Sequence, residues 1–269
     1  MSAAEGRGVE RGPEVQDGTE ETAWRPTPDC LLPDLTPAEE VVLLARTLWR
    51  EGYNDHLAGH ITYNLGDGTL LCNPWLLLWS EIRPEDLLRI DLDGNVVEGK
   101  WPVPLGIPLH LELHKQREDV GVAMHNHPRW GTIWADMGKV PPYHDQSSAL
   151  GGGMTVCVDE YDGPVNDAGS ARRAVEKMAG ADIALLANHG VFVLGKSVRA
   201  VHQRAVALEW RCRMAWHVLA GGGGTEVPAS FRDRLGRSDG EGFIGFWEAM
   251  VRQELRADPT LVARTRTAG

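Results

Sequence analysis

The stretch Val122-Ala-Met-His125-Asn-His127-Pro128 restricts the fold more than any other part of the chain. Its apolar start reads as a buried strand, and in an extended strand alternate residues share a face, so His125 and His127 present two imidazoles to one point. A second apolar run, Leu185-Leu-Ala-Asn188-His189-Gly190, ends in a histidine followed by a glycine that can turn the chain. If the two runs are neighbouring strands, His189 supplies a third imidazole at the same end. The pattern predicts a three-histidine metal site.

With 269 residues, 42% hydrophobic and 24% charged, the chain suits a globular protein with a substantial core. A net charge of −11 argues against a nucleic-acid partner, because backbone binding requires basic surface. No window approaches the roughly twenty apolar residues of a membrane span, and no signal peptide is recognisable, so no membrane partner and a cytoplasmic setting are expected. The cysteines at 30, 72, 157 and 212 are too scattered for a thiolate zinc knuckle or a disulfide framework.

Residues 1–33, rich in Gly, Pro and acidic side chains, read as a disordered acidic leader, and 34–269 as a single domain. Thr36-Pro-Ala-Glu39 has the form of a capping box and opens a helix through Val41, Leu44, Ala45 and Leu48. Short strands follow at His60–Tyr63, Thr69–Cys72, Leu87–Ile90 and Val96–Val97, separated by Gly and Asp turns that suit antiparallel pairing. Residues 105–114 predict a helix with His110 and His114 on one face. Helices are also predicted over 130–137, 168–178, 198–219 and around 243–255, the last packed on the body or on another subunit. Strands are predicted at 155–158, 183–187 and 191–194. Residues 141–153 read as irregular, and His144-Asp145-Gln146 within them is a candidate cover for the site.

In order, Pro-x-His110, Val122-x-x-His125-x-His127-Pro128 and Leu-x-x-Asn188-His189-Gly190 resemble the class II aldolase/adducin family from about Thr36 to Leu219. The resemblance implies a three-layer α/β/α body with a central, largely antiparallel sheet, a homotetramer, and His125, His127 and His189 as ligands of a divalent metal. Sugar-phosphate aldolases of that family place a Ser-Ser-Glu segment four residues before the position of His110, and its Glu is the acid/base. Here the segment reads Pro104-Leu105-Gly106. The family's Thr-Pro-Ser-Gly phosphate loop corresponds to Asn73-Pro74-Trp75-Leu76, and its Gly-Asn to Gly59-His60. Glu112, the carboxylate nearest to His110, is expected to be solvated or salt-bridged. A buried phosphate without donors is costly. These replacements fit an aromatic or otherwise apolar small acid in a pocket lined by Trp75, Leu76 and Trp79, with His60 and His110 as catalytic candidates.

Within the family the chain is most similar to the decarboxylating and non-haem-iron oxygenase branch, some of whose members serve aminocoumarin antibiotic biosynthesis. That similarity implies oxidative decarboxylation of an aromatic 2-oxo or 2-hydroxy acid with O₂ as a second substrate, and favours Fe²⁺ over Zn²⁺ or Mn²⁺. Two alternatives stand beside it. One is a metal-dependent aldolase or non-oxidative decarboxylase of a small non-phosphorylated substrate, which turns over without O₂. The other is an adducin-like interaction protein, which needs no metal triad.

Overall fold

The structure, a computed structural model, describes residues 31–158, 167–236 and 245–262. Most of the expected acidic leader, residues 1–30, lies outside the described residues. Its last part does not behave as a leader, because Leu32 packs against the core.

Helix α1 (Pro37–Arg50) begins with the expected capping box: Thr36 accepts from the Glu39 backbone N–H, and the Glu39 carboxylate accepts from the Thr36 backbone. Strands β1 (His60–Asn64), β2 (Thr69–Cys72), β3 (Leu88–Asp91) and β4 (Val96–Glu98) form an antiparallel meander. Helix α2 (Ile107–Gln116) precedes β5 (Val122–Asn126), which is followed directly by α3 (Arg129–Asp136). The segment expected to be irregular contains one short helix, α4 (Gln146–Ala149), because Asp145 caps it by accepting from Ser148. Then come β6 (Thr155–Val158), α5 (Ala168–Met178), β7 (Ile183–Leu186), β8 (Gly190–Gly195), α6 (Val198–Ala220), α7 (Ala229–Gly236) and α8 (Phe246–Ala257).

The eight strands make one sheet in the order β4-β3-β2-β1-β5-β8-β7-β6. All neighbours are antiparallel except β6 and β7. That pair is joined by α5, since parallel neighbours need a crossover long enough to return the chain. Alternation along β5 divides the core. Val122 and Met124 face the layer of α1, α3, α6 and α8, whereas Ala123 faces the layer of α2 and α5. The result is the expected three-layer α/β/α body with a largely antiparallel sheet. Helix α8 packs on α1 and α6 of the same chain, burying Trp247 and Val251, which is the first of the two placements expected for it.

Candidate metal centre

The register of the central strands assembles the site. His60 lies opposite His125 across β1 and β5, and His125 lies opposite Phe192 across β5 and β8. His127 follows β5, and His189 occupies the tight turn between β7 and β8. That turn needs Asn188-His189-Gly190. Asn188 adopts the left-handed region at φ 53°, which Asn tolerates better than most residues. A Cβ on Gly190 would lie 2.6 Å from both the Asn126 carbonyl oxygen and the His127 ring, so glycine permits the close approach.

His125, His127 and His189 each offer a nitrogen within 4.8 Å of the other two. Two of the tautomers are fixed from behind. His125 Nδ1 donates to the Val191 carbonyl at 2.9 Å, and His127 Nδ1 donates to Asp55 Oδ2 at 2.8 Å. With both rings neutral, the ligating form, each carries one N–H, and both Nε2 atoms are bare lone pairs. They face each other at 3.1 Å. Two acceptors at that separation repel unless a cation lies between them, and a centre with bonds of about 2.1 Å holds its donors roughly 3 Å apart. The three residues could therefore hold one divalent metal ion, and the Val191 carbonyl and Asp55 act as orienting partners of the ligands. Burial, with nearby His60 and His189 adding to it, holds the pKa of His125 well below its usual range. Burial lowers His189 to about 4, with His127 contributing. Neutral imidazole is the ligating form. Asp55 is pulled the other way: burial raises its pKa, but hydrogen bonds from His56 and His127 outweigh that and leave it below the usual carboxylate range.

His60 stands next to the triad, its ring centroid 5.2 Å from that of His125. Burial, with His127 and His189 contributing, lowers its pKa to about 3. A Cβ built on Gly106 would overlap this imidazole, lying 2.8 Å from its Nδ1. His60 thus fills the space a side chain at 106 would need. His110, fully buried on α2, lies 5.7 Å from His60 and 4.9 Å from Phe192 between ring centroids. Its Nδ1 meets Thr62 Oγ1 at 2.8 Å, and the same hydroxyl meets His114 Nε2 at 2.8 Å.

The phosphate-loop positions also find their explanation. Asn73 spends its amide on the backbone, accepting from the Ile61 N–H at 2.6 Å and donating to the Gly59 and Pro74 carbonyls. Leu76 sits at φ 76°, a conformation that favours glycine, with its side chain 52% exposed. Trp75 is half-buried and its backbone N–H donates to the Pro102 carbonyl. Two pocket expectations need correction. Trp79 is a core residue, packed against Gly59, whose φ of +112° brings the backbone within reach of the indole. His144 turns away to the 221–227 loop, with Nδ1 3.1 Å from the Thr225 carbonyl oxygen. Glu112 is salt-bridged as expected, to Lys115 and Arg172, and is buried. Asp55 and Thr62 escaped the sequence reading. Thr62 carried a faint signal, since it shares a strand face with His60; Asp55 carried none.

Residues 39–216 match the family described as Class II Aldolase and Adducin N-terminal domain. The chain belongs to that family. Among curated relatives it is 29% identical to the 5-methylthioribulose-1-phosphate/5-deoxyribulose-1-phosphate aldolase of Rhodospirillum rubrum, over 71% of this chain and 85% of the aldolase. It is also 29% identical to decarboxylase NovR of Streptomyces niveus, over 77% of this chain and 79% of NovR. Identity to the 4-hydroxy-3-prenylphenylpyruvate oxygenase/4-hydroxy-3-prenylbenzoate synthase of Streptomyces roseochromogenus subsp. oscitans is 28%, over 78% of each chain. The fold matches L-fuculose 1-phosphate aldolase from Glaciozyma antarctica PI12 with a TM-score of 0.73 at 19% identity, covering 88% of this chain and 99% of that one. Among the described residues no helix is long and apolar enough to cross a membrane.

Proposed function

We propose that the protein is a metal-dependent enzyme of carbon–carbon bond cleavage that decarboxylates an aromatic 2-oxo or 2-hydroxy acid oxidatively. His125, His127 and His189 hold the divalent ion, Fe²⁺ in preference to Zn²⁺ or Mn²⁺. The observation that carries this reading is the occupation of the residue-106 position by the His60 imidazole, which leaves no place for an aldolase carboxylate. When bound, the metal supplies Lewis-acid chelation of the substrate and a place for O₂.

The chain's own residues do the rest. Asp55 and the Val191 carbonyl keep the ligand tautomers fixed. His60 and His110 face the substrate as neutral hydrogen-bonding groups. Trp75 and Leu76 offer apolar surface where a phosphate loop would offer donors. With O₂ as oxidant, a 2-hydroxy acid ArCH(OH)COOH yields ArCOOH, CO₂ and H₂O, and no further reductant is required. The decarboxylase and oxygenase names among the relatives support this direction. The aldolase relative of equal identity favours a second reading, non-oxidative carbon–carbon cleavage, here of a small substrate without a phosphate. CO₂ release by the Fe²⁺-loaded protein, followed with and without O₂, separates the two. The oxidative reading expects turnover to stop without O₂; unchanged anaerobic turnover rejects it.

A further inference from the structure

The helix that follows His127 has no cap of its own. Helix α3 starts at Arg129, and its N-cap is Pro128, whose side chain can neither donate nor accept. The first N–H groups of a helix have no partner within it and need an acceptor from elsewhere. Glu209, buried on α6, supplies that acceptor from 79 and 78 residues away. Its Oε1 accepts from the Trp130 N–H at 2.9 Å and its Oε2 from the Gly131 N–H at 2.8 Å. A carboxylate at this position also meets the positive end of the helix dipole.

The same carboxylate stands where the supports of two ligands meet. A Cβ on Gly131 would lie 2.7 Å from Val191 Cγ1, 3.1 Å from Pro128 Cγ and 3.5 Å from Glu209 Oε2, so glycine lets the first turn of α3 lie close against Val191. The Val191 carbonyl is the partner of His125 Nδ1, and Asp55 is the partner of His127 Nδ1. One turn earlier on the same face of α6, the Ala205 carbonyl accepts from the buried Tyr53 hydroxyl at 2.7 Å. That bond ties down the chain just before Asp55. A single turn of α6 therefore holds both the backbone that follows His127, through Glu209, and the approach to its carboxylate partner, through Tyr53.

We propose that Glu209 is a positioning residue of the metal centre, assisted by Tyr53. By capping α3 from α6 it sets where the His127 imidazole stands relative to those of His125 and His189. Its bonds are to the backbone of α3, so it acts through His127 and not on the ion. The role presupposes the three-histidine centre proposed above and adds a layer of support behind Asp55 and the Val191 carbonyl. Groups that orient metal ligands commonly change metal affinity by about 10- to 100-fold when removed; for a support one step further out, the lower end of that range, about tenfold, is expected.

The test compares the full chain as wild type, Glu209→Ala, Glu209→Gln, Tyr53→Phe and Val251→Ala. Titration with Co²⁺ reads affinity, and the visible d–d bands read coordination. NMR of the metal-free protein labelled with ¹⁵N-histidine reads the His127 Nδ1–H bonded to Asp55. Glu209→Ala should lose about tenfold in Co²⁺ affinity, with altered bands and faster exchange of the His127 Nδ1–H. Glu209→Gln, which keeps one acceptor oxygen, should recover part of the loss, and Tyr53→Phe should shift the same readouts in the same direction. Val251→Ala, which opens a cavity under α8, should lower the urea midpoint and leave affinity and bands unchanged. Unchanged affinity and His127 signal in Glu209→Ala, or in Glu209→Gln if the alanine variant does not fold, overturns the proposal, as does an equal loss of affinity in Val251→Ala. If the wild type binds no Co²⁺ while the His127 Nδ1–H is weakened by the Glu209 variants and not by Val251→Ala, the positioning of His127 stands and the metal reading fails.

Discussion

Gly106 lets the His60 imidazole stand between α2 and β5, because even a methyl group there would overlap the ring. Gly106→Ala should therefore cost about 1–3 kcal/mol of stability, the usual penalty of overpacking, and most of that loss should vanish in a His60→Ala background. A double-mutant cycle of urea unfolding measures the coupling; equal losses in both backgrounds would show that the imidazole has room to move. The clustering of the three histidines was legible in the sequence because His125 and His127 obey the two-residue period of a strand and His189 sits between turn-forming residues. Asp55 was not, because its contact with His127 crosses from a loop to a strand end and leaves no local pattern. Nor could spacing show that His60 and Gly106 exclude each other, since that depends on how α2 lies over β1.

Among the elements, α1 was legible from its capping box and α6 from its apolar stripe. Two features that the sequence left open have physical causes. The parallel β6–β7 pair depends on the crossover through α5, which strand patterns alone do not reveal. The docking of α8 depends on Glu254, only 1% exposed, which accepts from Arg50 and pairs with Arg46 at 3.5 Å. Arg50 is half-exposed and can return to water once unpaired. Glu254→Ala should accordingly destabilise the protein by roughly 2 kcal/mol, below the range for a wholly buried pair, and should open α8 preferentially. Hydrogen exchange of the α8 amides checks this; protection unchanged relative to α6 would contradict it.

Across the whole molecule, burial depresses six imidazoles. His60 and His202 fall to about 3 and His114 and His189 to about 4, while His110 and His125 fall well below their usual range. Above pH 6.5 these groups are neutral in both folded and unfolded chains. Below it the unfolded chain binds protons that the folded one excludes, so stability is full above pH 6.5 and falls as pH drops toward 4. Each such group contributes about 1.4 kcal/mol per pH unit in that window. The raised carboxyls of Glu40, Glu51 and Glu209 act in the opposite sense and offset part of the loss. For the metal-free protein, the urea midpoint should decline between pH 7 and pH 5. His202→Leu should make that decline shallower, because His202 is fully buried with neither ring nitrogen hydrogen-bonded. A midpoint independent of pH would refute this.

The proposed chemistry depends on a divalent ion held by imidazoles. X-ray absorption at the metal edge, on anaerobically purified protein, tests it most directly. One divalent ion per chain is expected, with three imidazole nitrogens in its first coordination sphere, and it should be lost in His189→Ala. A metal-free wild-type protein after incubation with Fe²⁺, Mn²⁺ or Zn²⁺, or an ion bound equally well by His189→Ala, would contradict it.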